Sequence, residues 1–135
     1  MTELDPQVRE LLDGANFVSL ATLMSDGAPH STVVWAAIHD GVPCFFTQPG
    51  TLKARNVGRD PRVAMTVVDR ENPNRSGPLR GYVTDTVEGD AALEIIDAMA
   101  RKYTGADFPM RSGHVFLIEV ESSRLTELPF ADTPG

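Results

Sequence analysis

A chain of 135 residues, 41% of them hydrophobic and 23% charged, is long enough for one domain with a sizeable core and too apolar for a disordered polymer. Its formal net charge of −7 disfavours a nucleic-acid partner, and its longest apolar run, 33–38, is far too short to cross a bilayer. The single cysteine, Cys44, excludes an internal disulfide, and no basic segment followed by an apolar stretch opens the chain, so a cytoplasmic protein of one domain, 1–135, is expected.

From the N-terminus, Asp5-Pro6 marks a helix start, with Asp5 as cap and Pro6 in the first turn, where a missing N–H is harmless. Val8, Leu11 and Leu12 form its apolar stripe and Gly14 ends it. Residues 17–24 are rich in strand formers and break at Ser25-Asp26-Gly27, a hairpin signal. The partner strand is expected over 30–38, where Val33-Val34-Trp35-Ala36-Ala37 is apolar on both faces. Asp40-Gly41 is a second tight turn, leading to a strand over 42–46 in which Pro43 suits an edge or a strand start. Three strands joined in this way predict an antiparallel meander.

A short helix follows over 51–57, with Thr51 as N-cap and Gly58 as a left-handed C-terminal residue. A strand over 62–69 comes next, then a long irregular piece over 70–78 and a strand over 79–87 that contains Tyr82. Asp90 is expected to cap a helix whose Leu93, Ile96, Met99 and Tyr103 recur at helical spacing. After a loop over 104–113, strands are expected over 114–120 and, shorter, over 125–128. Six or seven strands, three helices and frequent glycine turns predict a mainly β fold, a closed antiparallel barrel decorated by helices.

The chemistry concentrates after the 42–46 strand. Lys53, Arg55 and the amide of Asn56 stand near the first turn of a helix, where free N–H groups and the positive end of the dipole also point, an arrangement suited to phosphate. A solvated basic helix face explains the same residues. Charge distribution favours the ligand: residues 53–80 hold seven of the twelve Lys and Arg against three acids, a balance of +4 that leaves −11 elsewhere. A basic island in an acidic chain suits a small anion better than a polyanion. Other chemistry lacks its motifs. His30, His39 and His114 show no ligand spacing, and there is neither a Gly-x-Ser-x-Gly elbow, a Gly-x-Gly-x-x-Gly turn nor a Walker loop. Cys44, inside an apolar strand, reads as core.

The strand ending in Phe46-Thr47, then Lys53-x-Arg55-Asn56, then Arg59-Asp60-Pro61-Arg62-Val63, resembles the pyridoxamine-phosphate-oxidase-like family of split β-barrel flavin proteins. More narrowly, it is similar to the small actinobacterial branch that uses the deazaflavin coenzyme F-420, and the resemblance runs from about Val18 to Arg124. It implies an FMN-binding-like split barrel, homodimeric, with coenzyme at the interface. Lys53, Arg55 and Asn56 would hold the phosphate. Thr47, Gln48 and Thr51 would line the ring and ribityl chain, and Val34, Trp35, Ala64 and Thr66 the ring face, although core packing accounts equally for Trp35. A hydride would pass to a small electron-poor acceptor, an enone or a quinone, with no membrane involved. No proton donor can be named; Tyr82 and Tyr103 are candidates, with core packing the simpler role for both. Relatives that use the deazaflavin often carry basic residues just before the lysine, where this chain has Thr51 and Leu52, so FMN stands as the alternative coenzyme. A non-catalytic coenzyme carrier is the alternative role, since its phosphate site would look identical. A true pyridoxamine phosphate oxidase ends in a basic arm, whereas here Arg124 stands among Glu121 and Glu127.

Overall fold

The computed structural model describes residues 4–130. Helix α1, Pro6–Asp13, starts as its sequence dictates: Asp5 Oδ1 accepts from the amides of Gln7 and Val8 at 2.8 and 3.4 Å. Its buried residues are Val8, Leu11 and Leu12. The strands are β1 (Phe17–Leu23), β2 (Pro29–Val34), β3 (Ala36–His39), β4 (Val42–Thr47), β5 (Arg62–Val68), β6 (Arg75–Val87), β7 (His114–Ser123) and β8 (Thr126–Glu127). Helix α2 spans Leu52–Arg59 and α3 spans Gly89–Thr104. Among the described residues, no helix is long and apolar enough to cross a membrane.

The strands pair antiparallel in the order β2-β1-β5-β6-β7-β4-β3, with β8 beside β6. Only Trp35 separates β2 from β3, yet the two stand at opposite ends of that order. One residue cannot span an open sheet of this width, so the sheet curls until its edges meet, giving a split antiparallel barrel with flanking helices. Period-two alternation directs Val18, Leu20, Met65 and Val67 inward to meet Phe45, Leu79, Ile118 and the stripe of α1. A second cluster under α3 joins Cys44, Ala92, Ile96, Met99 and Val115, with Trp35, Phe46 and Phe108 at its margin.

Several expectations need correction. The strand expected over 30–38 is broken at Trp35, so the meander is instead two hairpins, β1–β2 and β3–β4, on opposite edges. Apolar character on both faces was visible; the change of edge was not. The piece expected to be irregular over 70–78 is strand from Arg75 onward. Pro78 fits because β6 is paired with β7 only from Leu79. Gly77 fits because a Cβ there would come within 2.9 Å of Val8, where α1 lies on the sheet. Gly58 is not a left-handed terminus; α2 continues to Arg59 and ends at Asp60, which Pro61 pushes to extended geometry, φ −138° and ψ 112°. Asp90 sits in the first turn of α3 rather than at its cap, which is Glu88.

Candidate functional site

β4 delivers Thr47 and Gln48 to a turn at Pro49-Gly50, and Thr51 then opens α2 by accepting from the amide of Ala54 at 3.3 Å. The Thr47 and Thr51 hydroxyls lie 2.9 Å apart, so the end of the strand and the start of the helix are tied by side chains as well as by the turn. This corner faces the β2–β3 break, and between them is an open cleft of about 340 Å³. Val33, Val34 and Trp35 line it from the break, Phe46, Thr47 and Gln48 from β4, Lys53 from α2, and Phe108 and Met110 from the 105–113 loop. Among the described residues, Lys53 is the one charged side chain in that lining.

The apolar wall is aromatic. Trp35 stacks on Tyr103 with centroids 5.3 Å apart and planes 4° from parallel, and meets Phe46 at 6.0 Å and Phe108 edge-on at 6.1 Å. The 105–113 loop that carries Phe108 and Met110 is fastened at both ends. Asp97 on α3 accepts from the Phe108 amide at 3.1 Å and from the two terminal guanidinium nitrogens of Arg111, Nη1 and Nη2, at 2.9 and 3.0 Å. Gln48 Nε2 donates to Ser112 O at 2.8 Å while its Oε1 accepts from the Ser112 hydroxyl at 2.7 Å. The Arg111 hydrogen bonds hold the Asp97 carboxyl below the usual carboxylate range, and the Phe108 amide adds to the effect.

The structure thus brings Val34, Trp35, Thr47, Gln48 and Lys53 together. Thr51 stands behind them, its hydroxyl engaged as cap. Arg55 is exposed on α2 and does not line the cleft. Asn56 is fully buried: its amide nitrogen donates to Thr22 Oγ1 at 3.0 Å and contacts Met24 sulfur, and its Oδ1 accepts from Arg59 at 2.8 Å. It seats α2 on β1 and offers nothing to the cleft in this geometry. Ala64 and Thr66 lie on the outward face of β5, paired with Ala21 and Ser19, away from the inward Val63, Met65 and Val67. Within one chain they are not part of the cleft.

The basic island resolves largely into fastenings. Arg59 holds Leu23 O, Arg62 pairs with Asp60, Arg70 reaches Ala15 O and Arg75 pairs with Asp69. The side chains of Lys53, Arg55 and Arg80 make no such bond among the described residues. Neither tyrosine lines the cleft. Tyr82 faces Glu119 on the outside of the sheet, and that neighbouring charge raises its pKa. The Tyr103 hydroxyl donates to Asn16 O at 2.9 Å, on the α1 side of α3. Burial pushes the Cys44 thiol up to about 12, so it is no nucleophile. Phe46, Phe108, Met110 and Val33 were not among the expected site residues. Phe108 and Met110 sit in an aperiodic loop that α3 folds back, which no local pattern announces.

An aromatic wall, hydroxyl and amide groups in the middle, and an ammonium beside the N-terminus of α2 form a graded surface, apolar to cationic. It fits a planar ring that carries a phosphate.

The family model described as pyridoxamine 5'-phosphate oxidase matches residues 4–127. Among solved structures, an F-420 reductase is 25% identical with a TM-score of 0.78, over 90% of this chain and 98% of its own. A conserved hypothetical protein from Mycobacterium tuberculosis is 24% identical with a TM-score of 0.79, over 100% of this chain and 94% of its own. General stress protein 26 from Bacillus anthracis is 15% identical with a TM-score of 0.68, covering 89% and 91%. The last two are alike in fold. No curated protein is detectably similar to the chain.

Proposed function

From the premise that the chain belongs to the pyridoxamine 5'-phosphate oxidase family, we propose that it is a coenzyme F-420-dependent oxidoreductase that reduces a small electron-poor acceptor of the enone or quinone type. One observation carries the reading: Trp35 at the β2–β3 break, Thr47 and Gln48 at the end of β4, and Lys53 on α2 line a single cleft whose other described lining residues are apolar. The similarity to an F-420 reductase supports the deazaflavin in particular.

Bound there, the deazaflavin supplies the hydride chemistry, and the chain supplies binding, orientation and exclusion of water. Lys53 and the first turn of α2 hold the phosphate, with Arg55 adding to the field from the next exposed position. Val34 and Trp35 flank the ring; Thr47, Gln48 and Thr51 stand beside the chain that links ring to phosphate. Asn56 serves indirectly, by fixing α2. The protein works as a homodimer, with Ala64 and Thr66 reaching the coenzyme of the partner. Support for this comes from the outward face of β2-β1-β5, where Ser19, Ala21, Ala64 and Thr66 are small and Val33 is 72% exposed.

A second reading, FMN as coenzyme, is favoured by Thr51 and Leu52 preceding Lys53, since one lysine at a helix N-terminus suffices for one phosphate. A third, a carrier without turnover, is favoured by the absence of either tyrosine from the cleft lining. Titration of the protein with F-420 and with FMN, followed by an enone and quinone panel with reduced F-420, separates them. Tight F-420 binding with turnover is the expected result. Preference for FMN moves the protein to the flavin branch, binding without turnover makes it a carrier, and binding of neither overturns all three.

A further inference from the structure

We propose that Tyr103 and Lys102 are positioning residues that set Trp35 in the cleft wall, acting through the backbone of Ala36; their effect on coenzyme affinity rests on the reading above. At Trp35 the chain leaves one edge of the sheet for the other, and Ala36, the next residue, is fully buried. Both of its main-chain groups are met by α3. Its N–H donates to the Tyr103 oxygen at 3.4 Å, and its carbonyl accepts from Lys102 Nζ. The same two side chains reach further: Lys102 Nζ donates to Leu12 O at 2.9 Å, and the Tyr103 hydroxyl to Asn16 O at 2.9 Å. The end of α1, the lead into β1 and the start of β3 therefore converge on two successive residues of α3.

Chemistry suits the arrangement. Buried main-chain groups at a strand break must find partners, and a lysine and a tyrosine supply several donors and one acceptor on long, apolar stems. The Lys102 ammonium also lies 4.8 Å above the Tyr103 ring, while that ring is stacked flat on Trp35 at 5.3 Å. Burial lowers the Lys102 pKa while the Asp13 charge opposes that shift, and the Leu12 and Ala36 carbonyls accept from the ammonium. Trp35 is thus fixed twice, through its neighbour's backbone and through its own face.

Trp35 is the single tryptophan, so its emission reports on its setting directly. Tyr103→Phe keeps the stacked ring and removes the hydroxyl; Lys102→Met keeps the stem and removes the ammonium. Both are expected to shift Trp35 emission, make it more readily quenched by acrylamide and weaken coenzyme binding about fivefold, because a wall that must reorder on binding lowers apparent affinity. Lys102→Arg, which retains donors, should restore most of the wild-type behaviour. Val63→Ala, in the other core cluster, serves as a control for general loosening. Emission unchanged in both variants, or changed equally in the control, overturns the proposal. Emission needs no ligand, so it decides the matter even if the wild type binds neither coenzyme, a result that would sink only the coenzyme reading.

Discussion

Lys53 and Asn56 stand three positions apart on α2 and differ wholly in situation: one lines the cleft, the other is fully buried. Their substitutions should therefore separate affinity from stability. Lys53→Ala is expected to weaken coenzyme binding more than tenfold, a change of about 1.4 kcal/mol or more, with the unfolding midpoint unchanged. Arg55→Ala, removing an exposed charge that solvent screens, should cost less than about threefold. Asn56→Ala leaves the Thr22 hydroxyl without its donor and should lower stability by about 1–3 kcal/mol in denaturant titration. Equal loss of affinity in Lys53→Ala and Arg55→Ala would place the phosphate elsewhere. From the sequence the three polar residues looked alike, because a two-turn helix has no periodicity long enough to say which face it buries. Docking on β1 decides that, and it is a tertiary fact.

At the scale of elements, the 105–113 loop forms one wall of the cleft while lacking regular structure, so its order depends on side chains from elsewhere. Asp97 and Gln48 supply them. Because Arg111 depresses the Asp97 pKa, the carboxylate's contribution is complete above its ordinary value of 3.8 and fades as pH falls through the lower folded value. Asp97→Asn or Arg111→Ala should therefore speed amide exchange in the loop at neutral pH, a loosening the wild type shows only in acid. Exchange at wild-type rates in both variants would mean that Gln48–Ser112 and the Phe108 ring hold the loop alone. Such long-range ties mark the limit of what local pattern conveys. Helix α1, the Ser25-Asp26-Gly27 and Asp40-Gly41 turns and the alternation along β1 and β5 were legible because capping, left-handed turn residues and period two are local. The break at Trp35 was not, since the main-chain groups of Ala36 beside it find partners in Lys102 and Tyr103, more than sixty residues away. Pro78 and Gly77 suggested a loop for the same reason: only the neighbouring strands and α1 show why a proline and a glycine belong in β6.

For the whole molecule, the outward face of β2-β1-β5 is the surface on which the proposed homodimer can be tested. Its small side chains allow close approach by another flat surface, and Val33 at 72% and Phe17 at 60% exposure are large apolar groups left facing solvent. A specific dimer needs roughly 800 Å² from each partner, a modest share of the 7553 Å² that the chain exposes. If two copies meet there, as proposed, Ala64 and Thr66 leave the solvent face and become available to a neighbouring cleft. Val33 also lines that cleft, so its substitution would confuse association with direct contact. Ala21, on the same face but outside the lining, is the cleaner site. Ala21→Glu puts like charges opposite each other across a two-fold interface and should convert a dimer to monomers in sedimentation velocity. Coenzyme affinity should fall with it and recover partly as protein concentration rises. A monomeric variant that binds as tightly as the wild type would show that each chain holds its coenzyme alone, and would return Ala64 and Thr66 to the role of ordinary surface residues.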